Sequence, residues 1–405
     1  MNATTFNARE FETGRSDPRL AECLQEFPPS IFSERLYQSI ELMERYSIEL
    51  AVDLLGRLNV VEQVREWRSA DELCALLRFQ PRFKIALEWI LARLVETGCV
   101  EVQGDGILSS YRLGYMPWQP DLRPLREFGV NIDASNAATL DLLDYAANLY
   151  PVAATGRQEG DQNLFGPQGI PLWLNYFHND NLTYAVNNWV GAVVAADHLS
   201  SRQRVRILEL GAGTGSGTEI LLKLLDERGL LPRVERYLVT EPNAYFRRCN
   251  QRKLAAQYPS VPLEWATLDL DLPWNTQGIS PSTFDLVYAV NVMHISKNLL
   301  FSLNEARTAL AADGWLVIGE CVRPFANQPI YPEVMFQILD SFTDVEIDPE
   351  IRPNPGFLTA DQWRRAFLRA GFGNVDVAPD IDRIREFYLH FFTGAICGTN
   401  TTRPQ

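Results

Sequence analysis

Three kinds of sequence pattern that indicate where a protein works and what it binds are missing from this chain of 405 residues. No apolar run approaches the roughly 18 to 20 residues that a membrane span needs. Residues 1–15 are polar and lack the apolar stretch of a secretory signal. Lys and Arg form no dense block, and the net charge is −14. We therefore expect a cytoplasmic protein with neither a membrane nor nucleic acid as its partner.

Cysteine and histidine, the usual protein ligands of zinc, are also few. The six cysteines are scattered without a C-x-x-C pair, which argues against a structural zinc site. The four histidines, His178, His198, His294 and His390, occur in no H-E-x-x-H or similar motif. We therefore expect no catalytic metal, and each histidine can be weighed separately as a catalytic base.

The N-terminal part of the chain has the pattern of a winged helix. After an arm at residues 1–32, helices are predicted over 33–58, 70–77 and 84–97, and two short β-like runs surround Gly104-Asp105-Gly106. We assign residues 33–116 to a winged-helix module. Such a module either binds DNA or serves packing and dimerisation, and the acidic balance favours the second role, with a possible homodimer.

Residues 117–200 predict a helical segment interrupted by turns. Aromatic residues are frequent in it, including Phe165, Trp173 and Phe177. Two interpretations stay open, namely a packed helical linker or a lid over the next domain.

From residue 205 the pattern changes to alternating strands and helices. Strands are predicted at 205–210, 237–240, 263–267, 284–289 and 315–320, and further strands near 375–378 and 387–393. Helices are predicted between them, including 299–310 and 360–370. This predicts an α/β fold with a doubly wound, Rossmann-like and mostly parallel sheet over 201–397, before a tail at 398–405. Ligands of such sheets bind at the carboxyl ends of the strands.

A glycine-rich stretch directly follows the first of these strands. Gly211, Gly213 and Gly215 fit neither the G-x-G-x-x-G dinucleotide spacing nor the phosphate-binding loop, which needs a lysine. Glu209 precedes them. A carboxylate there would repel a pyrophosphate and attract an ammonium group, so the stretch predicts a cationic ligand.

In this context the stretch resembles the first motif of class I S-adenosylmethionine-dependent methyltransferases. The resemblance implies that S-adenosylmethionine is the cofactor and that Glu209, Gly211, Gly213 and Gly215 contact it. It also implies ribose contacts by Glu241 at the end of the second strand. Asp269, with Leu270 beside it, is implied near the adenine, and Asp271 competes for that role. Asn291, at the end of the fourth strand, is the last implied cofactor residue.

The wider segment 143–320 resembles the C-methyltransferase domains of polyketide synthases. The features that carry this likeness are Gln277-Gly278, the N-V-x-H run from Asn291 to His294, and Glu320 at the end of the next strand. The N-terminal module instead resembles that of small-molecule O-methyltransferases, which also place a histidine and an acid at these two strand ends. The resemblance implies His294 as a catalytic base and Glu320 as its partner.

We therefore expect an enzyme of secondary metabolism that C-methylates the activated α-carbon of a polyketide-like acyl substrate. Because no carrier or ketosynthase segment is recognisable, the enzyme would act in trans on a small-molecule or acyl-carrier-bound substrate. Three alternatives remain open, namely O-methylation of a small hydroxylated metabolite, N-methylation of an amine, and a cofactor-binding regulator.

Overall fold

The computed structural model describes residues 17–104, 109–157 and 160–401. Its N-terminal part contains three helices and a small antiparallel sheet with the strand order β1-β3-β2. The elements are α1 (Glu34–Arg57), β1 (Arg68–Ser69), α2 (Ala70–Leu77), α3 (Lys84–Val95), β2 (Val100–Gln103) and β3 (Ser110–Leu113). The predicted turn at Gly104-Asp105-Gly106 lies partly outside the described residues, and the winged-helix assignment stays a prediction.

Five helices connect this N-terminal part to the main sheet. They are α4 (Leu122–Ile132), α5 (Asn136–Ala154), α6 (Gly160–Leu164), α7 (Gly169–Tyr176) and α8 (Leu182–Leu199). Helix α8 lies against the sheet at a place where both partners are glycine. A Cβ on Gly191 would come within 3.4 Å of the Gly319 Cα, so small residues permit the close approach that anchors α8.

Parallel strands build the main sheet, as the alternating pattern predicts. They are β4 (Val205–Leu210), β5 (Val234–Thr240), β6 (Leu263–Ala266), β7 (Phe284–Val290) and β8 (Leu310–Arg323), with β9 (Leu358–Thr359), β10 (Gly373–Ala378) and β11 (Thr393–Thr399) added later in the chain. The helices of this part are α9 (Ser216–Glu227), α10 (Ala244–Gln257), α11 (Leu299–Ala309), α12 (Glu333–Phe336), α13 (Asp340–Thr343), α14 (Ala360–Arg369) and α15 (Ile381–Arg385).

The strand order of the sheet is β10-β11-β8-β7-β4-β5-β6, with β9 paired to β8. Strands β4 to β8 pair in parallel, whereas β11 is antiparallel to both β8 and β10. The order reverses between β4 and β7, and this switch point is where doubly wound sheets bind ligands. The predicted α/β fold is therefore confirmed.

One predicted strand is wrong. The stretch 387–393 is largely turn, and strand β11 begins at Thr393. Its aromatic residues pack elsewhere, since the Tyr388 ring stacks on Tyr37 of α1 with 3.7 Å between the ring centroids. His390, predicted to lie in that strand, instead contacts Glu41 of α1 through Nδ1 at 2.6 Å.

Buried polar contacts join the N-terminal part to the main sheet. Glu333 accepts hydrogen bonds from the Trp89 indole of α3, at 2.8 Å, and from Arg323 of β8. Residues 17–32, predicted as part of an arm, also contribute buried side chains to the continuous core, namely Leu20, Leu24, Phe27, Ile31 and Phe32. The domain boundaries themselves stay predictions. Across the part of the chain that the structure describes, no helix is both long and apolar enough to cross a membrane.

Candidate active site

The glycine-rich loop leaves β4 in a conformation that favours glycine. Gly211 and Gly213 both have φ of +55°, and Gly215 has φ of +83° as it begins helix α9. A Cβ on Gly211 would meet the Val292 side chain at 2.7 Å, whereas one on Gly213 would meet no atom within 4 Å. The loop is therefore tight against the fold at Gly211 and open at Gly213, where a ligand can approach the backbone.

Glu209 is buried beneath this loop, with 2% of its surface exposed. Its Oε2 accepts a hydrogen bond from the Tyr237 hydroxyl at 2.7 Å. Burial raises the pKa of Glu209 to about 7, and the charge of Glu241 adds to the effect, whereas the Tyr237 and Thr218 hydroxyls oppose it. A cation placed beside this carboxyl would restore its ionised form, so the position fits the positively charged ligand that the sequence predicts.

Glu241 follows β5 and faces the glycine loop. Its carboxylate accepts hydrogen bonds from the backbone N–H of Gly213 at 2.8 Å and of Asn243 at 2.7 Å. Burial raises the pKa of Glu241, and the two backbone donors oppose that rise. The side chain thus ties the glycine loop to the start of α10, beside the position expected for a ribose.

Asp269 and Leu270 lie in the loop after β6, and Gln277 holds that loop. The Gln277 side chain accepts from the Asp269 N–H and donates to the Asp269 carbonyl, both at 2.8 Å, and it donates to the Leu272 carbonyl at 3.2 Å. Asp271 accepts from the Lys297 N–H at 2.7 Å. Asp271 therefore braces the turn after His294, and the Asp269 Oδ1 accepts from the Asp271 N–H at 2.9 Å; both side chains are exposed.

Asn291 lies at the end of β7 with φ of +52°. Its side-chain oxygen accepts a hydrogen bond from the Cys321 N–H at 3.1 Å, and its own N–H donates to the Gly319 carbonyl at 2.7 Å. These contacts join the ends of β7 and β8. Since Glu320 lies between Gly319 and Cys321, they also hold Glu320 beside the end of β7.

A small cavity of about 70 Å³ lies at the switch point between β4 and β7. It includes four of the predicted cofactor residues, Glu209, Gly211, Gly213 and Asn291, whereas Gly215, Glu241, Asp269 and Leu270 lie outside its lining. The other lining residues are Phe177, Tyr184, Asn188, Ala212, Gly217, Val290 and Val292. Sequence reasoning missed Tyr184 and Asn188, although the adjacent asparagines 187 and 188 within an otherwise apolar helix were an available signal.

His294 and Glu320 form a buried pair, and His294 follows the cavity-lining residue Val292 by two positions. The His294 Nδ1 lies 2.8 Å from the Glu320 Oε2, and only 3% of His294 is exposed. The other carboxylate oxygen, Oε1, accepts from the backbone N–H groups of Met293 at 2.9 Å and of His294 at 3.3 Å. The carboxylate therefore fixes the imidazole so that Nδ1 carries the proton of the neutral ring and Nε2 is the basic nitrogen.

Aromatic rings and one arginine surround the His294 turn. The Phe357 and Phe342 ring centroids lie 4.5 and 5.6 Å from that of the imidazole. Arg352 is buried and donates to the carbonyl oxygens of Ser296 at 2.7 Å and of His294 at 3.0 Å. Burial lowers the pKa of Arg352 to about 10, so it remains a cation at neutral pH. The turn is thus held by side-chain contacts on both sides.

The other histidines have different surroundings. His178 is half exposed, with its Nδ1 3.1 Å from an Asp180 carboxylate oxygen. His198 belongs to α8 and stacks on Trp315 with 3.5 Å between the ring centroids. Burial lowers the pKa of His198. Within residues 17–104, 109–157 and 160–401, no group of three or more His, Cys, Asp or Glu side chains is arranged to hold a metal ion.

Comparison with known proteins shows what this chain is similar to. A family model described as a methyltransferase domain matches residues 208–316, which include the glycine loop and His294. The polyketide synthase ThaG of Burkholderia thailandensis is 30% identical to the chain over 337 residues, which are 81% of this chain and 6% of ThaG. The chain spans between 6% and 14% of the length of the curated relatives that it matches.

Solved structures share the fold over nearly the whole chain. The CurJ carbon methyltransferase is 24% identical with a TM-score of 0.75, covering 94% of this chain and 99% of that one. The trans-methyltransferase CalH, solved in complex with SAH, is 18% identical with a TM-score of 0.63, covering 90% of this chain and 91% of that one. The chain therefore carries a methyltransferase domain with S-adenosylmethionine as its cofactor, is similar in sequence to polyketide synthases, and shares its fold with carbon methyltransferases.

Proposed function

We propose that the enzyme methylates the activated α-carbon of a polyketide-like acyl substrate, which an acyl carrier presents in trans. The observation that carries the proposal is the buried His294–Glu320 pair at the strand ends, with His294 two positions after the cavity-lining residue Val292. The sequence likeness to polyketide synthases supports an acyl substrate, and the fold likeness to a trans-methyltransferase supports action in trans.

The cofactor would be held by the residues that the sequence singles out. We assign Glu209 to its ammonium group, the glycine loop to its amino-acid part, and Glu241 to its ribose. Asp269, Leu270 and Asn291 complete the set. The buried Glu209 carboxyl and the open space at Gly213 fit a cationic ligand that lies close to the backbone. When bound, S-adenosylmethionine supplies an electrophilic methyl group on a sulfonium sulfur.

The protein's own contribution to the chemistry is to align the acceptor and remove one proton. The α-proton of a β-keto thioester would pass from carbon to the His294 Nε2, while Nδ1 keeps its proton and its contact with Glu320. The carboxylate then stabilises the imidazolium that forms, as the third group of a catalytic triad does. Alignment of the reacting groups contributes on the order of 7 to 11 kcal/mol.

Dimerisation remains part of the proposal. In the N-terminal part, the apolar side chains of Leu76, Val102, Tyr115 and Met116 are exposed. We propose that this part of the chain joins two copies, and sedimentation at several protein concentrations tests it. A mass that stays that of a single chain at every concentration would contradict the dimer.

The function is tested by locating the transferred methyl group. The enzyme is incubated with labelled S-adenosylmethionine and β-keto acyl thioesters on an acyl carrier protein, and the product is analysed by mass and carbon NMR. A new carbon-bound methyl is expected, and an oxygen-bound methyl would instead support the alternative of O-methylation.

His294→Ala should lower turnover by a factor of about 10² to 10⁴ with cofactor binding retained. His198→Gln, which changes a histidine stacked on Trp315, serves as the matched control. Near-full turnover of His294→Ala would refute the role of the pair.

A further inference from the structure

One buried acceptor in the cavity at the switch point is left unused by the fold. Asn188 of α8 is 0% exposed, and among the described residues its side-chain Oδ1 has no hydrogen-bond partner. The residue lines the cavity together with Glu209, Gly211 and Gly213. Leaving a buried polar atom unpaired is costly, so an unpaired acceptor inside a binding cavity points to a ligand that donates.

The orientation of the Asn188 amide follows from a chain of contacts. Asn179 uses its Nδ2 to donate to the Ser216 carbonyl at 3.1 Å and to the Glu219 carboxylate at 2.9 Å. Both of these partners only accept, so the Asn179 Oδ1 must face the other way, where it accepts from the Asn188 Nδ2 at 2.8 Å. The donor end of Asn188 is thereby occupied, and its acceptor end faces the cavity.

The Asn188 oxygen converges with the Glu209 carboxylate on one point. A Cβ built on Gly217 would lie 3.5 Å from the Asn188 Oδ1 and 3.7 Å from the Glu209 Oε1. Two acceptors of different elements, one on α8 and one on β4, thus face the same small space. An ammonium group has three donors and a positive charge, which suits one amide oxygen and one carboxylate.

We propose that Asn188, held in position by Asn179, accepts a hydrogen bond from the ammonium group of the bound cofactor. This inference rests on the proposed cofactor role of Glu209 and extends it to helix α8. It makes Asn188 a binding residue and Asn179 a positioning residue. It also gives α8 a direct part in cofactor recognition, since α8 carries the acceptor. Asn179 orients that acceptor and is itself held by Ser216 and Glu219 at the start of α9.

The test compares two ligands that differ in the amino-acid part. S-adenosylhomocysteine keeps the ammonium group, and 5′-methylthioadenosine lacks it. The dissociation constants of both are measured by calorimetry for the wild-type chain, Asn188→Leu and Asn179→Ala. Loss of a hydrogen bond to a charged group should weaken S-adenosylhomocysteine binding about 10-fold or more in Asn188→Leu. Asn179→Ala should weaken it less, since the amide is then free to turn. Binding of 5′-methylthioadenosine should be unchanged in both variants.

Asn187→Ala is the matched control, because it removes another buried asparagine from the same helix. It should leave both dissociation constants within about 2-fold of the wild type. Equal weakening of both ligands, or no weakening of either, in Asn188→Leu would overturn the inference while leaving the cofactor site intact. If Asn188→Leu does not fold, the same comparison in Asn179→Ala decides the question. A wild-type chain that binds neither ligand would overturn the proposed cofactor site itself.

Discussion

Substitution of Glu209 by Gln should stabilise the ligand-free protein at alkaline pH. The buried carboxyl has a pKa of about 7, against an ordinary value of 4.5. The folded state therefore holds this proton more tightly than the unfolded state. The stability that the proton provides is fully present below pH 4.5, decreases as the pH rises to about 7, and stays lost above that. The loss amounts to about 3 kcal/mol, at 1.36 kcal/mol per pKa unit.

The Gln side chain keeps an acceptor for the Tyr237 hydroxyl but has no proton to lose. Urea unfolding without ligand should therefore show Glu209→Gln more stable than the wild type by up to about 3 kcal/mol at pH 8, and by less than about 1 kcal/mol at pH 5. Glu227→Gln, a change of the same type at an exposed position of α9, should shift the free energy of unfolding by less than about 0.5 kcal/mol at both values. A difference between Glu209→Gln and the wild type that does not depend on pH would refute the reasoning.

Three further predictions concern ligand binding, the base turn and the glycine loop. At pH 6 about nine-tenths of the Glu209 side chains are protonated, so binding of S-adenosylmethionine should release close to one proton, and none in Glu209→Gln; calorimetry in two buffers with different ionisation enthalpies measures this. Arg352→Lys should lower turnover by a factor on the order of 10 to 100 with unchanged cofactor affinity, because one ammonium cannot hold the carbonyl groups of both His294 and Ser296 as the guanidinium does. Gly211→Ala should lower the melting temperature more than Gly213→Ala, because both have φ of +55° but only the Cβ at 211 meets Val292. The first expectation would be contradicted if Glu209→Gln still released a proton on binding. The second would be contradicted by full turnover of Arg352→Lys, and the third by equal lowering of the melting temperature in Gly211→Ala and Gly213→Ala.

Much of the main sheet could be predicted because its signal is local. Strand β4 was predicted over the same residues that the structure shows, and helix α2 likewise, since apolar spacing and the flanking residues define both. The predicted strand at 387–393 was wrong because the contacts of this stretch are distant in the sequence. Its apolar aromatics are buried by α1, which lies more than 300 positions earlier in the chain, and no local pattern reports such a contact.

In the candidate site, too, residues with a local sequence signal could be predicted, whereas residues whose role depends on contacts distant in the sequence could not. Glycine spacing and acids at strand ends indicated Glu209, Glu241 and Glu320 because each lies near the carboxyl end of a recognisable strand. The sequence left Asp269 and Asp271 as competitors. The structure gives Asp271 a backbone partner at Lys297, which only the three-dimensional path of the chain reveals. Asn188 was missed because a polar residue inside an apolar helix does not show which partners its amide will find.

The three buried acids at the sheet edge differ in their donors, and this separates their roles. Glu241 and Glu320 each accept two backbone N–H groups, and Glu320 also contacts an imidazole, so each carboxylate is used to hold the protein's own loop. Glu209 lies among hydroxyls, which stabilise its charge less than burial disfavours it. Its charge is therefore the one that a cationic ligand can change. Because that ligand must displace the proton, its affinity should rise with pH up to about 7 and then level off. Below pH 7 the free protein would hold mainly a neutral acid in the cavity, and the bound state an ion pair.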